Sequence, residues 1–508
     1  MVLIKKYYPF LLFISIYLIY CALTFTHFGI TWDEQAVYTR GSQLFQYFFN
    51  HSGGGYQHLL IKNSSSDAWP AYNNWYSMVL YIFNQEMSYE IYHLENLLFA
   101  SILFISSYFV LVKKYPYAWL CLLGPLFIVL NPRLFGNVPG NPKDVPFAVM
   151  YFLSIAAIYL LPLNKRLERI ILLGVLFGLT HGLRIIGFGL YFVLLAYDIY
   201  QYYFNKTIRT KYKNIQMFLL SELGVIGLIF ILANCLMVFT WPYLISSYPN
   251  HFFEVVNIAK QFPWKGSVLF MGKMFLAKNL PLYYLPVWLS IGMPLFIILS
   301  FLGSLYFIWK KKLKNDLLFL LLFAIAFNLI LYFVLRPVIY NGLRHFLFLL
   351  PLFSVVSALV FIEIIRSKQK LLKQLCLLFL VLNSIMIVYT QIDIFPYQYL
   401  YFNETVGGLH GASANFETDY WAASTLSALD WLKKDTANQK TININTCGLP
   451  LVYLYYFSRN MNWVSSPSKA NYVICNTRQP QYTKIKGKII YSVMRDGVPL
   501  SDVFQITK

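Results

Sequence analysis

Two adjacent carboxylates, Asp33 and Glu34, follow the first apolar run of the chain and are the first residues whose placement indicates chemistry. No charged side chain lies between Lys6 and Asp33, so the segment from Tyr7 to about Ile30 is long and apolar enough to span a bilayer. A carboxylate at the edge of the hydrocarbon loses solvation and is costly without a partner or a function. Desolvation raises the pKa of such a group, which can then take a proton from an attacking hydroxyl. Asp33 is therefore a candidate general base.

A structural alternative exists for this pair, because an Asp that precedes a helix can accept hydrogen bonds from the free backbone N–H groups of the first turn. On a helix, Glu34 points away from Asp33. We expect Glu34 to orient Asp33 or to hold an acceptor.

A third carboxylate, Asp144, lies in the segment 141–146, which reads NPKDVP and opens an apolar run. Pro and Asp are both favourable in the first turn of a helix, so a purely structural cap is one interpretation. In the other, Asp144 is a second catalytic carboxylate that faces Asp33 and positions the acceptor. The two carboxylates are also the ligands we expect if a divalent cation takes part, and the sequence leaves that requirement open.

Isolated cations stand near the ends of other apolar runs. Arg184 follows His181-Gly182, and the Arg344-His345 pair begins a late run. A lone cation at this level either extends toward the lipid headgroups or binds an anion, and the planar arginine fork suits a phosphate. Arg184, Arg344, His345 and Lys143 are the candidate phosphate-binding residues. Lys143, like Arg133 and Arg336, is a weaker candidate for which a topological role is the simpler interpretation.

The elements that must position these residues are membrane helices. Of the 508 residues, 58% are hydrophobic and only 12% are charged, whereas soluble domains have roughly 25% charged residues. The net charge of +20 lies largely in short clusters between apolar runs, which is the usual topological signal rather than a nucleic-acid surface. Placing the clusters in the cytoplasm predicts about eleven spans. These spans are 7–30, 92–112, 117–131, 146–162, 169–183, 186–203, 216–240, 286–309, 315–335, 345–365 and 374–392.

This threading puts the isolated charges outside the cell membrane, together with a large loop at 31–91. Within that loop, residues 36–49 have helical periodicity with Leu44, Phe45, Phe48 and Phe49 on one face, which predicts a helix along the membrane surface. The chain thus divides into a membrane domain, 1–392, and a soluble domain, 393–508.

The C-terminal domain (residues 393–508) has the pattern of a small exported α/β domain. A helix is predicted over 422–432 and strands over 441–445, 472–476 and 488–493, with a hairpin turn at Asp496-Gly497 before a last strand near 503–506. Cys447 and Cys475 lie in this domain, where export would allow a disulfide between them, and the sequence leaves that bond open.

These residues together resemble the glycosyltransferase C superfamily, in particular the protein O-mannosyltransferases and the lipid A aminoarabinose transferases of family 39 type. The resemblance covers roughly residues 1–390 and rests on short motifs in a matching order. The motifs are Asp33-Glu34 with Tyr38, Asp144 with Pro146, Gly178-Leu179 ahead of Arg184, and Arg344-His345 followed by Pro351. The family often has a lysine near the position of Arg184, and similar enzymes carry an exported C-terminal domain.

The resemblance implies a glycosyltransferase C fold in a bacterial cytoplasmic membrane, with the C-terminal domain outside. It also implies inverting transfer of a sugar from a polyprenyl phosphate donor to a hydroxyl of a protein, lipid or glycan. Asp33 then acts as the base, and Arg184 with Arg344 neutralises the departing polyprenyl phosphate. The expected partners are the donor, the acceptor and membrane lipids, with no nucleic acid.

A multi-pass transporter or flippase for a lipid-linked or anionic substrate is the alternative, because such proteins also carry charges at membrane level. The charges of this chain collect at one membrane face rather than at mid-depth, and the sequence has no clear internal repeat. Both features favour the enzyme.

Overall fold

The computed structural model describes residues 2–50, 75–311, 315–447, 453–479 and 481–506, most of which are helical. The helices up to residue 211 are α1 (Val2–Thr24), α2 (Glu34–Phe49), α3 (Trp75–Phe83), α4 (Tyr89–Lys114), α5 (Ala118–Cys121), α6 (Leu123–Val129), α7 (Pro132–Phe135), α8 (Asp144–Leu160), α9 (Arg166–His181), α10 (Gly189–Phe204) and α11 (Lys206–Lys211). The later helices are α12 (Ile215–Phe239), α13 (Pro242–Ser246), α14 (Asn250–Lys260), α15 (Tyr284–Gly292), α16 (Leu295–Lys311), α17 (Asp316–Leu335), α18 (Leu350–Arg366), α19 (Lys370–Asp393), α20 (Gly408–Ala412) and α21 (Thr425–Asp435).

Each predicted span coincides with one helix or with a pair of shorter helices. Among the described residues, seven helices are long and apolar enough to cross a membrane, or eight if the bent pair α15 and α16 is one span. That pair turns by 116°. The bend has a local cause, because Pro294 lacks an N–H and drives Met293 out of the helical region, to φ −108° and ψ 149°.

Several membrane helices are shorter than predicted. The span expected at 117–131 is the pair α5 and α6, which is interrupted where Pro125 cannot donate a hydrogen bond to Cys121. The first helix ends at Thr24 rather than near residue 30, so the residues up to Asp33 form a connecting turn. This turn moves Asp33 clear of the helix end and lets it approach other loops.

Helix α2 lies where a helix is predicted, but its buried face differs from the predicted one. Val37, Tyr38, Gly41 and Leu44 are buried, whereas Phe49 is exposed. The reason is α3, which packs against α2 so closely that a Cβ on Gly41 would lie 2.2 Å from the Ser77 carbonyl oxygen. The surface helix therefore has a protein partner on its buried side.

The C-terminal domain is a five-stranded sheet beside α21. Its strands are β3 (Ile442–Thr446), β4 (Met461–Trp463), β5 (Tyr472–Asn476), β6 (Lys488–Arg495) and β7 (Val498–Gln505). The order is β4-β3-β5-β7-β6, with β3 parallel to β4 and β5, and β7 antiparallel to β5 and β6. The predicted helix, strands and hairpin turn are confirmed, whereas the three-residue β4 and the short helix α20 are missing from the prediction.

Two further features involve the C-terminal domain. Cys447 and Cys475, whose bonding the sequence left open, are disulfide-bonded, and the bond joins the end of β3 to β5. A separate hairpin of β1 (Ser267–Phe270) and β2 (Lys273–Leu276) extends from the membrane domain to the C-terminal domain, where the Gly272 N–H donates to the Asn415 carbonyl oxygen at 3.0 Å.

Candidate active site

Four connecting segments meet at one end of the helix bundle and bring the predicted charged residues together. Asp33 directly precedes α2, Asp144 begins α8 with Lys143 just ahead, Arg184 follows α9, and Arg344 begins the 3₁₀ turn that leads into α18. These residues are far apart in the sequence, and ion pairs join all of them into one chain of contacts.

Asp33 lies between two cations. Its Oδ2 accepts a hydrogen bond from Arg344 Nη2 at 2.7 Å, and its Oδ1 lies 3.3 Å from Lys143 Nζ. The side chain makes no hydrogen bond to the first turn of α2, so it does not act as the helix cap. A quarter of the side chain (25%) is exposed, which leaves the carboxylate accessible.

Arg344 connects two carboxylates. Its Nη2 binds Asp33, and its Nε donates to Asp144 Oδ2 at 3.1 Å. The guanidinium also lies over the ring of Trp421, with 4.5 Å from Cζ to the ring centroid, which is cation–π geometry. Only a guanidinium, with its fixed fork of donors, can make these contacts at once.

The Asp144 carboxylate binds two arginines, and one of them, Arg344, lies between Asp144 and Asp33. One of its oxygens binds Arg184 Nη2 and the other binds Arg344. The cap of α8 is provided by Asn141, whose Oδ1 accepts from the Asp144 N–H at 2.9 Å and whose Nδ2 donates to Asp144 Oδ2 at 3.1 Å. Asn141 thus orients the carboxylate that orients Arg344.

The raised pKa predicted for Asp33 is wrong. Burial alone acts to raise the pKa of Asp33, but the charges and hydrogen bonds of Lys143 and Arg344 outweigh it and lower the pKa to about 2. Burial in turn lowers the pKa of Lys143; Asp33 opposes that effect, and Arg344 and Arg184 add to it. The sequence could not reveal this balance, because the two cations come from segments more than one hundred residues away.

Glu34 lies in a buried hydrogen-bond network. Its Oε1 accepts from the Thr31 N–H at 2.8 Å, and its Oε2 lies 2.7 Å from His93 Nε2. Thr31 Oγ1 in turn donates to the Gly140 carbonyl oxygen at 2.8 Å. Glu34 has no exposed surface, so it cannot hold an acceptor in this arrangement, and it instead fixes the turn that carries Asp33.

His345 and Arg184 are placed beside the cavity rather than along its wall. The His345 ring packs edge-on against Tyr340, with 4.7 Å between the centroids. Arg184 reaches the site through Asp144. Neither residue is among the described residues that line the cavity, whereas Lys143 and Arg344 are.

A divalent cation does not fit between Asp33 and Asp144, because the Arg344 guanidinium bridges them. Across the part of the chain that the structure describes, no three His, Cys, Asp or Glu side chains group in a way that suits a metal ion.

The charged residues open into a cavity of about 1510 Å³ between the membrane domain and the C-terminal domain. The membrane side of its wall includes Trp32, Asp33, Lys143 and Arg344. The C-terminal domain contributes further lining residues, namely Phe416, Glu417, Tyr420, Trp421 and Arg478. The C-terminal domain therefore contributes directly to the site.

The wall residues of the C-terminal domain are missing from the sequence-based prediction of the site. The signal for them is the dense run of acidic and aromatic residues at 416–421. Within it, Asp419 accepts hydrogen bonds from Tyr399, Ser424 and Asn476, which fixes the run within the C-terminal domain. Burial raises the pKa of Asp419, and its hydrogen bonds oppose that effect.

Comparison with known proteins supports the fold through structure and not through sequence. No family model matches the chain, and no curated protein matches it. Two crystal structures of ArnT from Cupriavidus metallidurans match along 97% of both chains. The complex with undecaprenyl phosphate matches at 12% identity and a TM-score of 0.50, and the apo form matches at 11% identity and a TM-score of 0.51. The chain therefore has the fold of these ArnT structures, and the predicted polytopic helical fold with a small C-terminal α/β domain is confirmed.

Proposed function

We propose that the chain is an inverting glycosyltransferase that moves a sugar from a polyprenyl phosphate donor to a hydroxyl acceptor at the outer face of the membrane. The observation that carries the proposal is the Asp33 carboxylate held between Lys143 and Arg344 at the wall of a large cavity. The structural likeness to ArnT, whose crystal structure contains undecaprenyl phosphate, supports this class of donor.

The donor phosphate competes with Asp33 for its two cations. When the phosphate binds Lys143 and Arg344, those cations no longer stabilise the Asp33 charge alone, so the pKa of Asp33 rises. The carboxylate then becomes a stronger base at the moment when the donor is in place. Asp144, with Arg184 behind it, keeps Arg344 directed at the phosphate.

In the reaction, Asp33 takes the proton of the acceptor hydroxyl as the hydroxyl oxygen forms a bond to the anomeric carbon. The bond from that carbon to the phosphate oxygen breaks, and its electron pair leaves with the polyprenyl phosphate. Attack from the face opposite the phosphate inverts the anomeric configuration. Lys143 and Arg344 stabilise the charge that grows on the departing phosphate.

The test uses the purified full chain with radiolabelled polyprenyl phosphate sugars and a mixture of hydroxyl acceptors. We expect label to pass from the lipid to a water-soluble or glycan fraction. Asp33→Asn should lower this rate by about 10²–10⁴, the usual contribution of a positioned base, and should still bind undecaprenyl phosphate.

Normal turnover by Asp33→Asn would refute the assignment of the base. A flippase would give a different result, because labelled donor would cross the membrane of a reconstituted vesicle with its sugar–phosphate bond intact.

A further inference from the structure

The cavity has a second charged cluster, on the wall that the C-terminal domain provides. Arg478 Nη2 forms an ion pair with Glu417 Oε1 and also donates to Asn341 Oδ1 at 3.2 Å. Both Arg478 and Glu417 line the cavity. The chemistry proposed above uses neither of them.

Glu417 has an unused hydrogen-bonding atom. Its side chain is only 1% exposed, and its Oε2 has no hydrogen-bond partner among the residues that the structure describes. A buried carboxylate oxygen without a donor is unfavourable, and most such atoms in proteins are satisfied. Arg478, at 25% exposure, remains accessible from the same side. A ligand hydroxyl that donates to Glu417 and a neighbouring hydroxyl that accepts from Arg478 would suit this pair.

Aromatic rings line the same cavity as the cluster. Trp264 and Tyr340 stack with their centroids 4.1 Å apart and line the cavity, and Phe416 lies next to Glu417. Flat apolar rings beside polar groups suit a sugar ring, whose C–H faces are apolar and whose edges carry hydroxyls. A phosphate or a carboxylate suits the cluster less well, because Glu417 repels an anion.

The cluster is also connected to the reacting groups. Asn341, which accepts from Arg478, lies in the same tight turn as Arg344, which binds Asp33. Asn341 and Gly342 both have left-handed backbone conformations, with φ of 58° and 67°, and this brings the two side chains to one wall. A ligand on Arg478 and Glu417 therefore lies in the same cavity as the base, and the Asn341–Arg344 turn connects the two charged clusters.

We propose that Arg478 and Glu417 bind the acceptor, and that the acceptor is a carbohydrate with neighbouring free hydroxyls. This inference rests on the proposed function, because it names the acceptor class for that reaction.

The test measures binding without turnover. The full chain is kept in a detergent that contains no sugar and is titrated with a methyl hexoside, its deoxy analogue that lacks one of two neighbouring hydroxyls, a blocked serine peptide and glycerol phosphate. The variants are Glu417→Gln and Arg478→Lys, and Arg459→Lys is the matched control, since Arg459 is an exposed arginine of the same domain. Binding of undecaprenyl phosphate to each variant reports that the chain is folded.

We expect the wild-type chain to bind the hexoside in preference to the other three ligands. Each cavity variant should weaken hexoside binding at least about tenfold, as expected for loss of a hydrogen bond to a charged group, while Arg459→Lys leaves it unchanged. Equal hexoside binding by wild type and both cavity variants would overturn the inference. Preference for the peptide or for glycerol phosphate would overturn it as well.

The two proposals fail in distinguishable ways. Transfer from the labelled donor without any hexoside binding contradicts the acceptor class alone. Hexoside binding without transfer from any donor contradicts the proposed function, and the acceptor role with it.

Discussion

At the scale of single residues, the two cations that bind Asp33 in the free enzyme are the same ones that we propose bind the donor phosphate. Its carboxylate has a pKa of about 2 while Lys143 and Arg344 bind it, which makes it ionised but weakly basic. A phosphate that shares these cations raises the pKa of Asp33. The basicity of the residue is thus coupled to the presence of the donor.

This coupling predicts a difference between two pH profiles. The profile of kcat/KM reports the free enzyme, in which Asp33 stays ionised down to about pH 2, so we expect no acid limb from Asp33 above about pH 4. The profile of kcat reports the donor complex, and its acid limb should lie at higher pH. Initial rates between pH 4 and 8 at low and saturating donor measure both.

A matched variant checks the cause. Lys143→Gln removes one of the cations that lower the Asp33 pKa in the free enzyme, so its kcat/KM profile should shift toward that of kcat. Profiles that coincide in the wild-type enzyme would contradict the coupling.

Arg344 and Arg184 are predicted to differ in their effects. Arg344→Lys cannot bridge Asp33 and Asp144 while it binds phosphate, so kcat should fall about 10²–10³, as for loss of a positioned charge donor. Arg184→Lys should have a smaller effect, because Arg184 acts through Asp144. Steady-state rates with a saturating donor measure both variants, and Arg336→Lys, at an exposed arginine, is the control. A larger loss in Arg184→Lys than in Arg344→Lys would reverse the roles.

At the scale of elements, the turn before α2 and the loop before α8 are joined so that Asp33 and Lys143 meet. The Thr31–Gly140 hydrogen bond links them, and Asn96 of α4 donates to the Pro139 carbonyl oxygen at 2.6 Å. A Cβ on Gly140 would lie 2.7 Å from Thr31 Cγ2, so the contact requires glycine. Glu34 completes the junction through His93.

His93 is therefore predicted to stabilise the junction. In His93→Ala, Glu34 Oε2 loses the hydrogen bond to His93 while the carboxylate stays fully buried. The free energy of unfolding should therefore fall by about 1–3 kcal/mol. His93→Gln, which retains an N–H donor, should recover much of this loss. Thermal unfolding in detergent measures the stability, and kcat should fall in the alanine variant while donor affinity is unchanged. Equal stability of the two variants would contradict the role of the hydrogen bond.

At the scale of the whole molecule, the C-terminal domain closes the site rather than lying apart from it. Trp421 supports Arg344, and Arg495 donates to the Phe395 carbonyl oxygen at 3.1 Å where the domain joins α19. The hairpin β1–β2 also contacts the domain, through a bridge between Phe270 and Phe416. A loss of stability in this domain should therefore also lower the activity of the site.

The disulfide allows a test of that dependence. Its cysteines are 28 positions apart, and closing a loop of this length stabilises a domain by about 3–4 kcal/mol. The double variant Cys447→Ser, Cys475→Ser should lose about this much stability in the C-terminal domain, detected as faster proteolysis there, and should lose transfer activity at a lower temperature than the wild type. The double variant Cys235→Ser, Cys376→Ser, at two free cysteines, is the control. If the Cys447, Cys475 variant lost transfer activity at the same temperature as the wild type, the active site would not depend on the stability of the C-terminal domain.

The sequence by itself determined the membrane helices and most of the C-terminal strands, because apolar run length and alternation depend on local residues alone. It also singled out Asp33, Asp144, Arg184 and Arg344, which the structure joins by ion pairs, because a charge at a membrane edge is costly and therefore stands out. The sequence left the bonding of Cys447 with Cys475 open, and the structure shows the bond.

Only the tertiary structure decided how these charges share partners. That Arg344 bridges Asp33 and Asp144, that Lys143 lowers the pKa of Asp33, and that Glu34 turns to His93 are contacts between segments 59 to 311 positions apart. The same holds for Trp421, Glu417 and Arg478, which reach the cavity only because a separate domain folds over it. The electrostatics of a site depend on distances between side chains, and these distances are set by packing rather than by order along the chain.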